Sequence, residues 1–268
     1  MKTCCFCQRP ADSKEHIWSN WILKLLPDAQ DGVFTKRFAD GTSKSWHKKK
    51  PELKAGVVCE RACNNGWMST RLEQPMKAAT EDIILNNKQK TFFPEDCAVI
   101  AAWAFKTTVL ANHIELKGEP YFPVNQRHAF AHHLTIPPGT QVWIGRRNAG
   151  HLTANWRSIH RIQQPPTPLN PHLVKVPVSP YRFEHYTCTF TIGYLLLQVV
   201  TARWTERKVR ERLDFPPILQ AEVIDDYAIP IWPKRVSFGW PPPAAVGNAM
   251  FDRFWDRFDT INLPGWMR

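Results

Sequence analysis

The sequence predicts an α+β protein with two parts, a small cysteine-rich segment over residues 1–90 and a larger mixed α+β domain over 91–268. Five of the seven cysteines lie in the first 75 residues, where long apolar runs are few. Apolar residues recur at helical spacing in the middle of the chain, and from about residue 120 short β-type runs are separated by prolines. At 268 residues the chain is long enough to bury a core without disulfide bonds.

The N-terminal part is predicted to contain two short helices and a strand. Residues 17–26 carry an amphipathic helical pattern, and a loop or hairpin follows over residues 32–41. Residues 55–59 are typical of a short strand. Residues 67–73 are typical of a helix that Pro75 ends or kinks.

The larger part is predicted to begin near residue 90 with a central helix. Residues 76–85 and 96–114 form a helix pair, and the second helix is apolar nearly all round, as expected of a buried core helix. Strands are expected at 141–145, 174–178 and 186–200. A closing helix is expected over residues 244–259, where apolar side chains recur every four residues at Val246, Met250, Phe254 and Phe258.

The composition favours a folded protein with a polyanionic partner. Apolar residues make up 43% of the chain and charged residues 22%, which argues against intrinsic disorder. The formal net charge is +11. This excess favours nucleic acid as a partner ahead of an anionic membrane surface.

No segment is predicted to span a membrane. Residues 97–111 are apolar but short, and they include Lys106; the uncharged run 186–202 is typical of a buried strand. The N-terminus lacks the apolar stretch of a signal peptide, so we expect a cytoplasmic protein. In a reducing compartment, clustered cysteines indicate metal binding before disulfide formation.

Four cysteines form two close pairs that predict a structural zinc site. Cys4 and Cys7 are separated by two residues, and Cys59 and Cys63 by three. Four thiolates in two such pairs suit tetrahedral zinc. Cys5 is an alternative to Cys4, although its spacing to Cys7 makes a poorer chelating turn.

The residues around these pairs carry a family resemblance. Glu15-His16-Ile17 lies between the pairs, and Asn64-Asn65-Gly66 directly follows the last cysteine. This order of parts, over residues 4–73, resembles the HNH endonucleases, also called ββα-metal or His-Me finger nucleases. The resemblance implies a small zinc-stapled ββα-metal module that hydrolyses phosphodiester bonds, with zinc structural and Mg²⁺ or Mn²⁺ catalytic.

The resemblance also implies roles for individual residues. His16 matches the family's general base, Glu15 its acidic metal ligand, and Asn64 the metal ligand at the start of the helix; Asn65 is an alternative ligand. The family more often has Asp where this chain has Glu15. No Asn lies between residues 21 and 58 to match the middle Asn that orients the base, so His47 is the candidate for that role.

The remaining polar clusters carry weaker signals. Two imidazoles of His128, His132 and His133 share one helical face, but no carboxylate or cysteine lies close by to complete a metal site. Basic residues that are either a solvated face or a phosphate-binding stripe occur in two runs, at Lys48, Lys49 and Lys50 and at Arg203, Arg207, Lys208 and Arg210.

The sequence therefore predicts a metal-dependent endonuclease of HNH type acting on nucleic acid, with DNA as the expected substrate. The larger domain is expected to select or position the substrate. The alternative hypothesis is a zinc-stabilised nucleic-acid-binding protein with a degenerate, non-cleaving site. RNA cleavage is a third possibility.

Overall fold

The structure is a computed structural model that describes residues 3–26, 32–38, 40–48, 53–114, 118–148, 154–163, 182–206, 227–234, 236–247 and 251. Its helices are α1 (Asn20–Leu25), α2 (Glu60–Glu73), α3 (Gln74–Asn86), α4 (Pro94–His113) and α5 (Val124–His133). Its first strands are β1 (Ser13–His16), β2 (Gly32–Arg37), β3 (Ser43–Lys48), β4 (Lys54–Val58) and β5 (Lys90–Phe92). The others are β6 (Thr140–Arg147), β7 (Ala154–Gln163), β8 (Phe183–Ile192), β9 (Leu195–Trp204), β10 (Ala228–Trp232), β11 (Phe238–Trp240) and β12 (Ala245–Val246). The predicted α+β class is confirmed.

A large mixed sheet forms the centre of the molecule. Its strands run in the order β10-β6-β9-β8-β7-β2-β3, with β12 added beside β6. Two small antiparallel pairs, β1 with β4 and β5 with β11, lie outside this sheet. Strand β2 pairs in parallel with β7, so that Phe34 lies opposite Trp156. The sheet therefore contains strands from both sides of the predicted boundary near residue 90.

Helix α4 is the central helix that the sequence predicts. Fourteen of its residues are buried, including Trp103, Phe105 and Lys106. The Trp103 ring stacks on Trp18 at 6.5 Å and meets Phe190 of β8 edge-on at 6.4 Å. Aromatic contacts of this kind join the N-terminal segment, the helix and the sheet in one core.

Side chains form hydrogen bonds with backbone groups at both ends of α4. At its start, Asp96 accepts the backbone N–H of Phe93 at 3.0 Å, and Pro94 occupies the first turn, where no N–H is needed. At its end, the buried Lys36 of β2 donates to the carbonyls of Asn112 (2.8 Å) and Ile114 (2.6 Å). A cation among the last carbonyls of a helix complements the helix dipole. Lys36 thus ties the large sheet to α4.

Several predicted elements differ from those observed. The predicted strand 186–200 is a hairpin, because β8 and β9 turn at Gly193. Gly193 has φ +55°, and a Cβ there would lie 2.1 Å from the Ile84 carbonyl oxygen. The predicted helix over 17–26 is shorter and begins at Asn20. The polar segment 32–41 supplies the β2 strand of a hairpin, one of the two predicted alternatives.

Two further predictions at the ends of helices need correction. The helix predicted over 67–73 is the second part of α2. A helical segment of π type precedes it from Glu60, with the Asn64 N–H donating to the Cys59 carbonyl at 3.0 Å, and Gly66, whose backbone angles are non-helical (φ −90°, ψ −117°), forms a kink between the two. α2 ends at Glu73, next to the predicted stop, but the chain continues directly into α3, where Pro75 occupies the first turn and is tolerated. At the C-terminal end, β12 replaces the first part of the predicted helix 244–259. Its later part, except Phe251, and the predicted strand 174–178 lie outside the described residues.

Candidate metal centre and active site

Cys4, Cys7, Cys59 and Cys63 form one cluster, with all four Sγ atoms within 4.8 Å of one another. The Sγ atoms of Cys4 and Cys63 are 3.7 Å apart, and those of Cys7 and Cys59 are 3.3 Å apart. Tetrahedral zinc with Zn–S bonds of about 2.3 Å has S···S edges of about 3.8 Å. The donor set and its spacing therefore fit a structural metal ion such as zinc, and the cluster contains Cys4 rather than Cys5.

The backbone explains why these four thiols meet. The first pair lies in a tight turn in which the Cys4 carbonyl accepts the N–H of Gln8 at 3.1 Å, and Gln8 adopts a left-handed conformation with φ 61°. The N–H of Cys5 donates to the Val57 carbonyl of β4 at 2.8 Å. The second pair lies at the junction of β4 and α2. Pairing with β4 thus brings the two cysteine pairs together.

The cluster is also fixed to helix α5. The buried Arg127 donates through Nη1 to the Cys5 carbonyl and through Nε to the Phe122 carbonyl at 2.9 Å. The ring of Phe6 contacts Trp67 of α2 edge-on at 5.3 Å. The hydrogen bond between the two thiols lowers the pKa of Cys4 to about 4 and raises the pKa of Cys63, so this pair favours one thiolate, the form that binds metal, and one thiol.

Strands β1 and β4 and helix α2 lie around the cysteine cluster, with α1, β2 and β3 between β1 and β4 in the chain. Strand β1 pairs antiparallel with β4, with His16 opposite Lys54 and Glu15 opposite Ala55. The Nδ2 atom of Asn64 donates to the Ser13 hydroxyl at 3.1 Å. The start of α2 is therefore tied to the strand that carries Glu15 and His16.

Glu15 and His16 point to opposite faces of β1, because neighbouring side chains alternate along a strand. His16 is half-buried, whereas Glu15 is only 6% exposed. The Oε1 atom of Glu15 lies 3.4 Å from Nζ of the fully buried Lys106. The structure thus brings the Glu15 carboxylate to a lysine of α4.

Lys106 has a second and closer carboxylate partner. Its Nζ atom lies 2.6 Å from Oε1 of Glu73, the last residue of α2. The other oxygen of Glu73 accepts hydrogen bonds from the Ser19 hydroxyl, from Trp21 Nε1 at 2.9 Å and from Trp103 Nε1 at 3.0 Å. We call Glu15, Glu73 and Lys106 the buried charge cluster.

The pKa values of the two carboxylates in this cluster are shifted in opposite directions. Burial raises the pKa of Glu15, and Lys106 only partly offsets the effect. Burial would also raise the pKa of Glu73, but Lys106 and the hydrogen bonds from Ser19 and Trp21 hold it below its ordinary value. Burial would lower the pKa of Lys106, but Glu73 and Glu15 raise it. Glu73 and Lys106 therefore form the stable ion pair, and Glu15 is the carboxylate whose charge is less well supported.

The other predicted site residues lie apart from β1. His47 is exposed on the edge strand β3 of the large sheet, whereas His16 belongs to the small sheet. The half-buried Arg203 donates through Nε to Glu184 at 2.6 Å. Lys48 ends β3. The remaining basic residues predicted to bind nucleic acid, Lys49, Lys50, Arg207, Lys208 and Arg210, lie outside the described residues.

The histidines of α5 form a pair on the helix surface. The Nε2 atoms of His128 and His132 are 3.0 Å apart, and the His132 carbonyl accepts Arg71 Nη1 of α2 at 3.1 Å. Within the described residues, the four cysteines are the one group of three or more histidine, cysteine or acidic side chains close enough to share an ion. The histidine pair therefore lacks a third ligand of these types there.

Sequence reasoning missed Glu73 and Lys106. A single lysine in a helix that is apolar all round indicates a buried ion pair, since a buried ammonium group requires an acidic partner. The sequence does not identify that partner, because Glu73 lies 33 residues from Lys106 and Glu15 lies 91 residues away.

Comparison of the chain with protein-family models, with curated proteins and with solved structures finds no match. Among the described residues, no helix has both the length and the apolar character needed to cross a bilayer.

Proposed function

We propose that the protein is a metal-dependent endonuclease of HNH type that hydrolyses phosphodiester bonds, with DNA as substrate. One observation carries this proposal. Two antiparallel strands, β1 and β4, are followed by helix α2, and a four-cysteine cluster joins the strand and helix ends. This is the order of parts that the ββα-metal resemblance implies. It brings His16 and Asn64 onto two elements linked by the Asn64–Ser13 hydrogen bond.

His16 is the proposed general base. A neutral imidazole nitrogen can accept a proton from water. The half-buried position of His16 at the end of β1 leaves part of its ring accessible. The pairing of β1 with β4 and the contacts of the cysteine cluster hold the strand in place, as a rigid active site requires.

Asn64 is the proposed ligand of a catalytic Mg²⁺ or Mn²⁺ ion. Its Nδ2 atom is used by Ser13, so the amide oxygen is the atom that would face an ion, and amide oxygens suit these hard cations. When bound, the ion would stabilise the charge that develops on the phosphate oxygens. The predicted role of Glu15 as a further ligand does not fit its position, since its carboxylate is buried against Lys106.

The substrate class rests on charge. A formal net charge of +11 favours the phosphate backbone of nucleic acid. We assign backbone binding to Lys48, Lys49 and Lys50 and to Arg207, Lys208 and Arg210, and substrate selection to the part of the chain beyond residue 90. The predicted role of Arg203 does not fit its ion pair with Glu184. Reduced cysteines at a metal cluster fit a reducing compartment such as the cytoplasm.

The second candidate function is nucleic-acid binding without cleavage. The position of Glu15 favours it, because a catalytic ion would lack its charged ligand while Glu15 is paired with Lys106. In that case the cysteine cluster would stabilise a binding module only.

Nicking of supercoiled plasmid tests the two functions. We expect the wild-type protein to nick DNA with Mg²⁺ and to stop when Mg²⁺ is replaced by EDTA under conditions where zinc content is unchanged. His16→Ala should abolish nicking but retain DNA binding, and His133→Ala, an exposed histidine of α5, is the matched control. DNA binding without nicking by the wild type, with any divalent ion, would favour the second function. Structured RNA offered beside DNA separates the two substrates.

A further inference from the structure

Lys106 is an unusual residue for its position. It lies in the middle of α4, is 0% exposed, and has apolar or neutral residues on every side along the helix. Moving an ammonium group into a protein interior is costly unless carboxylates compensate it. Glu73 is its closer partner, at 2.6 Å, and Glu15 lies at 3.4 Å.

Glu15 adds a second negative charge that this pair does not need. Two carboxylates then face one ammonium group, and burial raises the pKa of Glu15. A charge that costs stability inside a core is a common feature of functional sites, where local rules are broken for a purpose. The chain position of Glu15, immediately before His16, indicates what that purpose is.

The buried charge cluster contacts the chain on both sides of His16. Before it, Glu15 contacts Lys106. After it, Ser19 and Trp21 donate to Glu73. Because Glu15 and His16 point to opposite faces of β1, fixing the carboxylate on the inner face fixes the direction of the imidazole on the outer face.

We propose that Glu15, Glu73 and Lys106 are positioning residues that hold His16 in its working orientation, and that Glu15 is not a ligand of the catalytic ion. The inference rests on the proposed function and assigns a role to α4. Helix α4 contacts β1 on the face opposite His16 and supports the active site there. The cysteine-rich segment therefore needs α4 in order to act as a nuclease.

The two roles of Glu15 predict different responses to Mg²⁺. If Glu15 is a positioning residue, Glu15→Gln lowers kcat and leaves KM and the Mg²⁺ concentration for half-maximal rate unchanged. Loss of a residue that orients a catalytic group costs about 10- to 100-fold in activity. If Glu15 is an ion ligand, Glu15→Gln raises the Mg²⁺ requirement in the same way as Asn64→Ala.

The experiment measures cleavage by the full-length protein at saturating DNA over a series of Mg²⁺ concentrations. The variants are Glu15→Gln, Glu73→Gln and Lys106→Met, each of which removes a charge and approximately keeps the side-chain volume. The matched controls are Glu81→Gln and Lys77→Met on α3, whose ion pair at 3.4 Å is exposed to solvent. Zinc content and near-UV circular dichroism establish that a variant is folded before its rate is compared.

We expect the three cluster variants to lose about 10- to 100-fold in kcat at an unchanged Mg²⁺ requirement, and the controls to behave as wild type. If Lys106→Met does not fold because it leaves two carboxylates buried without a cation, Glu15→Gln carries the test, since Glu73 and Lys106 remain paired in it. A raised Mg²⁺ requirement in Glu15→Gln, or wild-type kcat in all folded cluster variants, would overturn the proposal.

A second measurement separates this proposal from the proposed function. The ¹H–¹³C correlation of the His16 ring, assigned by its loss in His16→Gln, reports the surroundings of the imidazole without any cleavage. We expect it to move in Glu15→Gln and to stay in place in Glu81→Gln. If the wild type cleaves no nucleic acid but the signal moves, the proposed function is wrong and the positioning role stands. An unmoved signal overturns the positioning role.

Discussion

Lys106 and Glu73 join two helices through a buried ion pair, with Nζ of the lysine 2.6 Å from Oε1 of the glutamate. Glu73 ends α2, which begins beside Cys59 of the metal centre, and Lys106 lies in the core helix α4. Trp103 of the same core helix donates to the second oxygen of Glu73 at 3.0 Å. The N-terminal segment is thus anchored to the core helix α4 by a charge pair as well as by apolar contacts.

The first prediction concerns the pH dependence of stability. The pKa of Glu73 is lowered in the folded protein, so its ionisation stabilises the fold above the ordinary glutamate pKa of about 4.3. This stabilisation is lost as the pH falls through the lowered pKa. We expect Glu73→Gln to cost about 3–5 kcal/mol of unfolding free energy near neutral pH. The cost should shrink as the pH falls below about 4.

Glu15→Gln should have the opposite effect on the unfolding free energy. The pKa of Glu15 is raised in the folded protein, so its ionisation costs stability once the pH rises above the ordinary value. We expect Glu15→Gln to match or exceed the wild type in stability near neutral pH. Urea unfolding of both variants across the acidic and neutral range, with Glu81→Gln as control, measures the two effects. A large loss in Glu15→Gln at neutral pH would contradict the assigned pKa direction.

The second prediction concerns the metal centre. Freshly purified protein should contain one zinc ion per chain, and Cys63→Ser should lose it, because thiolate coordination requires all four ligands. Cys97→Ser is the matched control: Cys97 is also buried, but it donates to the Val236 carbonyl outside the cluster. Elemental analysis and thermal unfolding report the outcome. Zinc-free wild-type protein with unchanged stability would rule out a structural zinc.

These residues show what the sequence can and cannot predict. The four-cysteine cluster and the core helix α4 can be predicted from the sequence because each depends on local spacing. For the cluster this is the spacing of the thiol ligands, and for the helix it is the spacing of the apolar side chains. The buried charge cluster cannot be predicted in this way, since its partners meet only after α2 and α4 pack. The sequence predicts the β8–β9 hairpin as one strand because both of its strands are buried almost throughout, so residues 186–202 form a single uncharged run in which Gly193 is the only turn residue.

The parallel pairing of β2 with β7 was also beyond sequence analysis. It joins strands more than 100 residues apart and inserts an N-terminal hairpin into the large sheet. No propensity signals such a partner, because strand pairing depends on tertiary contacts. The resemblance, by contrast, concerns only residues 4–73, and the assignment of Glu15, His16 and Asn64 to catalysis remains a prediction.

The third prediction concerns the turn of the β8–β9 hairpin. Gly193→Ala introduces a Cβ at a left-handed φ of +55° and within 2.1 Å of the Ile84 carbonyl oxygen of α3. We expect the left-handed strain to cost about 1–2 kcal/mol and the overlap a further 1–3 kcal/mol. Gly41→Ala is the control, since it has φ +82° and no atom within 4 Å of the added Cβ. Equal losses in the two variants, measured by denaturant unfolding, would show that the close approach to α3 is relieved without cost.

The fourth prediction concerns the binding of DNA. If the net charge of +11 acts on phosphates, the affinity of the His16→Ala protein for DNA should fall steeply with salt. The logarithm of the association constant should fall by about 0.9 per phosphate neutralised for each tenfold rise in salt. Fluorescence anisotropy over a salt series measures this slope. A nearly flat dependence would point to a protein partner instead of nucleic acid.

The last prediction separates the roles of His16 and Asn64, which lie on β1 and α2 and are linked through Ser13. His16→Ala should still bind DNA and Mg²⁺ but lose general-base catalysis, typically a factor of about 10²–10⁴. Added metal should not restore it, because no proton acceptor replaces the imidazole. Asn64→Ala should bind the ion more weakly, so its activity should return in part at high Mg²⁺ or with Mn²⁺.

Asn65→Ala, one residue away and exposed, is the control for the ligand assignment. Metal rescue of His16→Ala but not of Asn64→Ala would reverse the two roles, and a Mg²⁺-dependent loss in Asn65→Ala alone would move the ligand to Asn65.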